Sequence, residues 1–597
     1  MKPELNKRMP RESVEINEEK WVYDSSIDHH GRIPLRASTG VWKASLFILA
    51  IEFSERLTYF GIATNLITYL TKVIHQDLKT AAKSVNYWSG VTTMMPLIGG
   101  FLADAYFGRF FMVLISSVIY LLGLSLLAMS ELIPSLKPCH IFTCEKPKKL
   151  HEVFFFLAIY LISVGTGGHK PSLESFGADQ FDEDHSGERK KKMSYFNWWN
   201  FGLCSGLLLG VTVVVYVQDE VGWAAADIIL TVSMAMSVIV FLAGKRFYRY
   251  RLPAGSPLTP MLQVLVAAII KRKLPHPSNP ALLYELPESQ KGNGRLLCHT
   301  NKLSFLDKAA ILEDKEPGCT MEQQQSPWRL ATVTRVEELK LLLNMLPIWF
   351  TTLPFGLCVA QASTFFIKQG STMNRKIGHG LEIPPASIYS IAAIGMIITV
   401  CIYDRILVPL LRKTTGNERG INILQRIGIG MAFSVLSMAT AALVEKRRLR
   451  VVEKEIVQGG HIGPISMSVF WLVPQFLIIG LGDGFTLVGL QEYFYDQVPD
   501  KMRSLGIAFY LSVIGASNFA STLLITTVDH LSSKGGKNSW IGKNLNHSRI
   551  DKFYWLLAAI NGVNLVAYVL IARRYSYKKV QKRVAIADSD DGVEVMA

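Results

Sequence analysis

The sequence predicts an all-α polytopic membrane protein with twelve transmembrane helices in two six-helix bundles. Apolar residues make up 49% of the 597 residues and charged residues only 19%. The mean hydropathy is +0.25, which is unusual for a soluble chain of this length. Twelve apolar stretches are long enough to cross the hydrocarbon, a distance that takes about 20 helical residues. A long polar stretch separates the first six from the last six.

The predicted spans divide the chain into five parts. The spans lie near 43–71, 84–106, 110–134, 152–172, 194–217, 222–244, 337–360, 384–411, 421–444, 465–494, 503–528 and 551–573. The parts are an amino-terminal arm (1–41), a first bundle (42–245), a central loop (246–336), a second bundle (337–573) and a carboxy-terminal tail (574–597). An even number of spans puts both termini on one side, and basic residues in the arm, loop and tail favour the cytosol. The apolar run from Met261 to Ile270 predicts an interfacial amphipathic helix, which a flexible linker follows.

Composition and motifs argue against several classes of protein. The formal charge of +15 is spread over loops between spans, which favours lipid headgroups over nucleic acid as a partner. The polar amino-terminal arm predicts no cleaved signal peptide. We find no phosphate-binding Gly-x-x-x-x-Gly-Lys-Ser/Thr loop, no His-Glu-x-x-His and no Gly-x-Ser-x-Gly elbow, so we expect no ATP-driven pump, no enzyme and no cofactor. In the predicted outer loops, Cys139 and Cys144 are disulfide candidates and Asn546 is a glycosylation candidate.

The first predicted span carries charged residues where a bilayer disfavours them. Glu52, Glu55 and Arg56 are three and four residues apart, which puts them on roughly one helical face. A charge near the bilayer centre costs about 3 kcal/mol or more, so it needs a partner or a water-filled cavity. Two crowded carboxylates beside an arginine can gain and lose a proton. The alternative is a static buried ion network that only locks helices together.

The fourth predicted span contributes an ammonium group. Lys170 lies in Gly165-Thr-Gly-Gly-His-Lys-Pro171, where proline removes a backbone donor and the glycines permit close helix packing. We expect a kinked helix that presents Lys170 as a movable partner of Glu52 or Glu55. The alternative is that Lys170 snorkels to the membrane interface. We expect His169 to be a packing residue.

The tenth predicted span supplies acidic candidates for a cavity. Pro474 and three nearby glycines predict a bent, closely packed helix. Glu492 near its inner end is the stronger candidate and Asp483 the weaker, with a carboxylate that merely ends the helix as the alternative. Among the aromatic residues of the spans, Tyr59 and Trp349 are candidate ligand contacts, although most such rings serve packing.

Taken together, these motifs resemble those of a known family. The sequence is similar to the proton-coupled oligopeptide transporter family, whose fold is that of the major facilitator superfamily, in Glu52-x-x-Glu55-Arg56, Phe101 to Arg109, Gly165 to Asp182 and Phe196 to Asn200. It resembles more narrowly the plant nitrate and peptide transporter branch in Asp28 to Gly31, Leu306 to Ala310, Trp328 to Leu330, Val336 to Lys340, Pro347 to Trp349 and Gln491 to Asp496. The resemblance runs in order through residues 28–575.

The resemblance implies a proton-coupled symporter that moves a small solute by alternating access. It implies that Glu52, Glu55 and Arg56 bind and relay the coupling proton. By the same resemblance, Lys170 exchanges ion pairs with these residues and Glu492 sits in the central cavity. The partners are then a small molecule or anion, protons and the lipid bilayer.

The resemblance also implies a cytoplasmic gate and a location in a cellular membrane. Asp104, Gly108 and Arg109 match the cytoplasmic gating loop of the superfamily, with a tight turn between closely connected helices as the alternative. Asp404 and Arg405 at the end of the eighth span echo this loop. The implied location is the plasma membrane, the vacuole or another endomembrane, and the oligomeric state stays open.

The departures from the family pattern concern the substrate. Peptide-transporting relatives often have two tyrosines and then an arginine after the first-helix motif, whereas this chain has Tyr59, Phe60 and Ala63. Some nitrate-transporting relatives have a histidine in the seventh helix, where this chain has Val359. Nitrate, a peptide or another small metabolite therefore stay open as substrates. A receptor that kept the transporter fold and signals through residues 246–336 is the alternative, although such a receptor needs no proton relay.

Overall fold

Helices form almost all of the ordered structure of the protein. The computed structural model describes residues 20–24, 26–133, 136, 149–182, 185–253, 255–256, 258–275, 283–285, 297, 299–312, 326–377, 381–416, 420–458, 463–498, 503–533 and 539–577. The α-helices are α1 (Val41–Ala63), α2 (Leu66–Lys72), α3 (Leu78–Leu102), α4 (Arg109–Leu132), α5 (Lys149–Ala178), α6 (Ser186–Leu209), α7 (Trp223–Ala243), α8 (Thr259–Ile270), α9 (Val333–Ala362), α10 (Phe365–Ser371), α11 (Ser390–Ile402), α12 (Val408–Thr415), α13 (Ile423–Val457), α14 (Val473–Gln497), α15 (Arg503–Ser532) and α16 (Ile550–Arg574).

Ten helical stretches of the described residues are long and apolar enough to cross a membrane, and they match the third to twelfth predicted spans. The first two predicted spans correspond to α1 and α3, helices of 23 and 25 residues. The α1 helix is less apolar because it carries Glu52, Glu55 and Arg56, and α3 is rich in polar and glycine residues. The protein is therefore an integral multi-pass membrane protein, while the count of twelve spans stays a prediction.

Four short strands lie between the long helices of the second half. The strand β1 (Met373–Asn374) pairs in parallel with β4 (Ile465–Ser468), and β2 (Lys376–Ile377) pairs with β3 (Leu381–Glu382) in antiparallel fashion. The sequence analysis predicts none of these strands. They are two to four residues long, so the all-helical class is unaffected.

Two helices end in a wider π-helical turn at the positions that echo one another in sequence. One π-helical segment, Ala103–Phe107, follows α3 and contains Asp104. A second, Tyr403–Leu407, follows α11 and contains Asp404. After the first of them the backbone turns at Gly108, whose φ of 76° lies in the left-handed region that favours glycine. Two further π-helical segments, Gly210–Val214 and Val217–Val221, follow α6, so the π-helical turn alone does not single out the two positions that echo one another.

The chain divides into two compact units. The larger unit comprises Met1–Ser256, Pro347–Asp496 and Arg503–Arg574, and it contains most of the membrane-crossing helices. The smaller comprises Pro257–Leu346, Gln497–Met502 and Tyr575–Ala597. It includes α8, the short helix that stands at the position predicted for an interfacial helix.

Buried charges organise the smaller unit. The Nζ atom of Lys340 lies 2.6 Å from Asp307 Oδ1 and 2.8 Å from Glu337 Oε1, and it donates to the carbonyl of Thr300 at 2.7 Å. Asp307, Glu337 and Lys340 are all buried. The segment 299–312, which the sequence analysis assigns to a flexible linker, is therefore held by ion pairs and hydrogen bonds.

The amino-terminal arm is docked within the larger unit. Arg36 lies 2.9 Å from Asp182 and 2.7 Å from Glu188. The fully buried Arg249 lies 2.7 Å from the other oxygen of Glu188. Two guanidinium groups thus share one carboxylate, and together they tie the arm to the start of α6 and to the segment after α7.

Candidate functional site

The three charged residues of α1 form one buried cluster, as their spacing predicts. Arg56 Nε lies 2.6 Å from Glu52 Oε1 and 3.3 Å from Glu55 Oε2. Both carboxylates are fully buried, and Arg56 is 8% exposed. Glu52 Oε2 and both oxygens of Glu55 have no hydrogen-bond partner among the described residues. The cluster therefore holds carboxylate oxygens that are open to a proton.

His169 on α5 belongs to this cluster, although the sequence analysis treats it as a packing residue. It is fully buried, and each of Glu52, Glu55 and His169 offers an atom within 4.8 Å of the others. Neither ring nitrogen of His169 has a hydrogen-bond partner in the described part of the chain. Such a donor set suits a metal ion by residue type, but the guanidinium of Arg56 already occupies Glu52, so a further cation is disfavoured.

Lys170 lies beside the cluster, also on α5. Its Nζ atom stands 4.4 Å from the centre of the Tyr59 ring, and it interacts electrostatically with Arg56, Glu55 and Glu52. Within the described ranges it forms no ion pair. The structure therefore brings together the predicted proton-coupling residues, with the Lys170 ammonium group over the Tyr59 ring rather than in an ion pair with a described residue.

Close packing of the glycine-rich motif sets this geometry. A Cβ atom at Gly99 of α3 would collide with the backbone of Gly167, and one at Gly165 would collide with the backbone of α4. Pro171 lies inside α5 directly after Lys170. Because only glycine permits such approach, α5 lies against its neighbours and presents His169 and Lys170 to α1.

The candidate ligand contacts occupy different environments. Tyr59 is nearly buried and stacks on Trp88 with ring centres 5.8 Å apart. Trp349 Nε1 donates to Ser512 Oγ at 2.9 Å, so its ring is held by α15. The side chain of Glu492 is 32% exposed and lies 3.4 Å from Arg426 Nη1. Glu492 is thus paired with a cation near the end of α14, and its assignment to the cavity stays a prediction.

The structure reveals acidic and phenolic groups that the sequence analysis ranks low or omits. Asp483 on α14 is 8% exposed, and its Oδ1 atom has no hydrogen-bond partner among the described residues. Tyr389 interacts electrostatically with Asp483 and Tyr59. Tyr510 also interacts electrostatically with Asp483 and Tyr59, and in addition with Arg56 and Glu174. Asp483 is therefore a buried carboxylate with an open oxygen, although the sequence analysis ranks it below Glu492.

The predicted gating residues form a chain of alternating charges. Arg109 lies 3.3 Å from Asp104 and 2.6 Å from Asp179. Arg251 Nε lies 3.3 Å from the other oxygen of Asp179, and its Nη2 lies 3.2 Å from Asp24 of the amino-terminal arm. Burial raises the pKa of Asp179, against the opposing effect of the two guanidinium groups. The arrangement can lock the ends of α3, α5 and the arm together.

The remaining predicted sites lie in loops that the sequence analysis assigns to the outer side. Cys139 and Cys144 fall outside the described residues. Asn546 Oδ1 accepts a hydrogen bond of 2.6 Å from Arg448 Nη1, and Ser548 of the same triplet is buried. Both the disulfide and the glycan stay predictions.

Comparison with known proteins gives consistent relatives. The sequence model of a family described as the POT family matches residues 110–541. Protein NRT1/ PTR FAMILY 5.6 of Arabidopsis thaliana is 62% identical over 565 residues, which cover 95% of this chain and 96% of that protein. Protein NRT1/ PTR FAMILY 5.7 of Arabidopsis thaliana is 60% identical over 588 residues, which cover 98% of this chain and 96% of that protein.

Solved structures have the same fold. The POT family transporter PepTSo, crystallised in meso, superposes with a TM-score of 0.65 at 18% identity, covering 89% of this chain and 98% of that one. An auto-inhibited POT family peptide transporter superposes with a TM-score of 0.65 at 20% identity, covering 89% and 97%.

Proposed function

The chain belongs to the POT family of transporters, and on this premise we propose that it is a symporter that couples proton movement to the transport of a small solute by alternating access. One observation carries the proposal: a buried Glu52–Arg56–Glu55 cluster with open carboxylate oxygens lies next to His169 and Lys170. The proton gradient supplies the energy, so the proposal needs no cofactor. An enzyme is not favoured, because the relatives are transporters.

The proton step follows from the pairing within the cluster. Arg56 holds Glu52 at 2.6 Å, whereas the oxygens of Glu55 accept no hydrogen bond from the described residues. A proton on Glu55 removes one negative charge and weakens the attraction of Lys170 to α1. In the low dielectric between the helices, such a change is large enough to alter which helices stay together.

The alternation itself is supported by contacts that join the two halves. Lys79 of α3 lies 2.8 Å from Asp529 of α15, and Asn86 donates to Ser521 at 3.1 Å. In the proposed topology of twelve spans and cytosolic termini, these contacts lie toward the outer face. They close that face, while the chain of charges from Asp104 to Arg251 lies toward the inner one. The chain of charges joins residues of the first half alone, so the proposed alternation depends on breaking and remaking the contacts between α3 and α15.

Proton coupling is tested by uptake from acidic and neutral outside media, with the membrane potential clamped. We expect accumulation to rise with acidity, because a protonated cluster is needed for the loaded carrier to reorient. Equal uptake at both pH values contradicts the proposal. A receptor that kept the fold gives a different result, since it accumulates no solute at either pH. A tag after residue 597 that antibodies reach from outside intact cells contradicts the topology.

A further inference from the structure

A second set of buried ionisable side chains contains none of the residues of the α1 cluster. Tyr69 lies in α2, Glu131 at the end of α4 and His151 at the start of α5. His151 is fully buried, and Tyr69 and Glu131 are 3% and 6% exposed. The sequence analysis singles out none of the three, because their proximity depends on the packing of three helices.

The polar atoms of Tyr69, Glu131 and His151, the α2 triad, form one continuous chain. Tyr69 Oη is hydrogen-bonded to Glu131 Oε1 and lies 2.9 Å from His151 Nε2. His151 Nδ1, the other ring nitrogen, lies 2.9 Å from the carbonyl oxygen of Leu136. The chain therefore contains three contacts at hydrogen-bonding distance, and it ends on a carbonyl oxygen that can only accept.

Three hydrogen bonds need three hydrogens, and the ordinary forms of these groups at neutral pH supply only two. The Tyr69 hydroxyl supplies one, a neutral His151 supplies one and an ionised Glu131 supplies none. Wherever these two hydrogens are placed, one contact brings two acceptors together. One added proton satisfies all three contacts, either on Glu131 beside a neutral histidine or on the ring as an imidazolium beside an ionised Glu131. Because the triad is buried, a bond to water does not readily replace the missing one.

Aromatic packing holds the Tyr69 phenol in this position. Phe155, one turn after His151 on α5, stacks on the Tyr69 ring with centres 4.5 Å apart. Trp223 of α7 meets the same ring edge-on, with centres 4.9 Å apart. These rings fix the direction of the phenol, so its hydroxyl stays between Glu131 and His151.

The charged groups around the triad favour the added proton. Neither a lysine nor an arginine of the described residues forms an ion pair with Glu131. Asp227 follows Trp223 by four residues and thus faces the same side of α7, where it interacts electrostatically with Tyr69 and Glu131. An ionised Glu131 without the added proton puts a second negative charge near Asp227, whereas a neutral triad does not. The other charged or titratable side chains at these helix ends are half-buried or exposed: Lys72 of α2, His75 after it, and Lys149 and Glu152 of α5.

We propose that the α2 triad is a second proton-binding site, which holds one proton while α2, α4 and α5 stay joined. The inference goes beyond the proposed function, since the triad is separate from the residues that couple the proton to the solute. In the proposed topology these helix ends lie toward the outer face, so the outside medium loads the site. Glu131 has the largest exposed fraction of the three and is therefore where the proton enters.

The site bears on a contact between the two halves of the chain. Thr71 lies two residues after Tyr69 on α2, and its Oγ1 atom accepts a hydrogen bond of 2.9 Å from Nζ of Lys368 on α10. Loss of the proton leaves one contact of the triad without a hydrogen, which loosens α2 and with it the contact to α10. The outer pH thus sets how firmly α2 is held.

Hydrogen exchange of the α2 amides tests the site in the purified full-length chain in lipid nanodiscs. Exchange is expressed as protection factors, so that the intrinsic dependence of exchange on pH cancels. In the wild type we expect protection to fall about tenfold or more from mildly acidic to mildly alkaline medium, the effect of one lost buried hydrogen bond. Glu131→Gln should keep the acidic level of protection in both media, because its amide group donates the third hydrogen permanently.

Two more variants bracket this result. Tyr69→Phe removes the middle of the chain, so protection of α2 should be low in both media. Glu152→Gln is the matched control, because Glu152 is the next residue after His151 on α5 but accepts from Gln76 at 3.4 Å rather than from the triad. In this control the protection of α2 should respond to pH as in the wild type.

Two outcomes overturn the inference. One is a wild type whose α2 protection does not fall in alkaline medium. The other is a Glu131→Gln protein that is less protected than wild type in acidic medium, since an ionised Glu131 would then be the partner of Tyr69. Glu55→Gln should leave the pH response of α2 unchanged while it abolishes proton-driven accumulation, so failure of the proposed function and failure of this inference are told apart.

Discussion

Glu52–Arg56 in the first half of the chain and Glu445–Arg448 in the second are buried pairs within a single helix, and the two differ in how many of their atoms are satisfied. In the second half, Arg448 donates to both oxygens of Glu445 at 2.8 Å. Gln369 donates to Glu445 at 2.6 Å, and Asn546 accepts from Arg448 at 2.6 Å. In the first half, Arg56 donates one hydrogen bond to Glu52, and Glu55 accepts none from the described residues.

The difference separates two uses of buried charge. A pair whose atoms are all bonded can join helices, but it cannot take a proton without breaking several hydrogen bonds. A pair with open oxygens contributes less to stability and can change its charge. Burial and residue type are the same in both places, so hydrogen-bond satisfaction is the feature that distinguishes the proposed relay from a structural lock.

The largest expected effect is the loss of proton-driven accumulation in Glu55→Gln. The substitution keeps the size of the side chain but removes the group that we propose gains and loses the proton. Because Glu55 accepts no hydrogen bond from the described residues, we expect surface abundance within about twofold of wild type. Uptake with and without a pH gradient, at equal surface abundance, measures the effect. Gradient-driven uptake at the wild-type level would show that the relay does not include Glu55.

The next largest effect is on stability, in Glu445→Gln. Breaking a fully bonded buried pair costs about 3–5 kcal/mol, because Arg448 is left as an uncompensated charge. Thermal unfolding of the purified protein measures the loss, which we expect to leave transport per folded molecule unchanged. Arg447→Gln is the control: Arg447 is exposed and stacks 3.8 Å from the centre of the Trp471 ring, so we expect a cost of about 1 kcal/mol or less. A Glu445→Gln protein as stable as wild type contradicts the comparison.

The effect expected from Lys170→Ala is partial, because one activity is lost and another survives. Removing the ammonium group uncouples the proton from the carrier but leaves the solute-binding groups in place, so accumulation should stop while solute exchange at matched pH survives in part. Lys149→Ala, at the exposed start of the same helix, is the control. It should change neither accumulation nor exchange. Accumulation equal to wild type at equal surface abundance would identify Lys170 as a lysine with no role in coupling.

The sequence predicts the fold class and the α1 cluster because both depend on local patterns: length and apolarity for spans, and residue spacing for the shared face of Glu52, Glu55 and Arg56. It does not predict the long-range pairings. The neighbours of His169 in sequence predict a packing residue. Only the close approach of α5 to α1 puts it beside Glu52. Glu492 and Asp483 look alike on one helix, yet Arg426, 66 residues from Glu492 in sequence, lies within ion-pairing distance of Glu492.

The smallest expected effect concerns the ion pair of Lys79 and Asp529, which is partly exposed, unlike the two buried pairs. Their atoms are 2.8 Å apart, but the side chains are 31% and 23% exposed. Water and salt compete for such a pair, so it is worth about 0.2–1 kcal/mol. We therefore expect Lys79→Ala to change the apparent affinity for solute by roughly fivefold or less, because it weakens only one contact that closes the outer face.

Exchanging the two charges isolates that contact. Lys79→Asp alone places two carboxylates together and should favour the outward-open state, whereas adding Asp529→Lys restores an attractive pair and should return transport toward wild type. Raising the ionic strength should reduce the difference between wild type and Lys79→Ala, since screening acts on partly exposed charges. The same salt should leave the effect of Glu445→Gln unchanged, because that pair is fully buried. Equal salt sensitivity of both variants would mean that burial and hydrogen bonding do not separate these pairs.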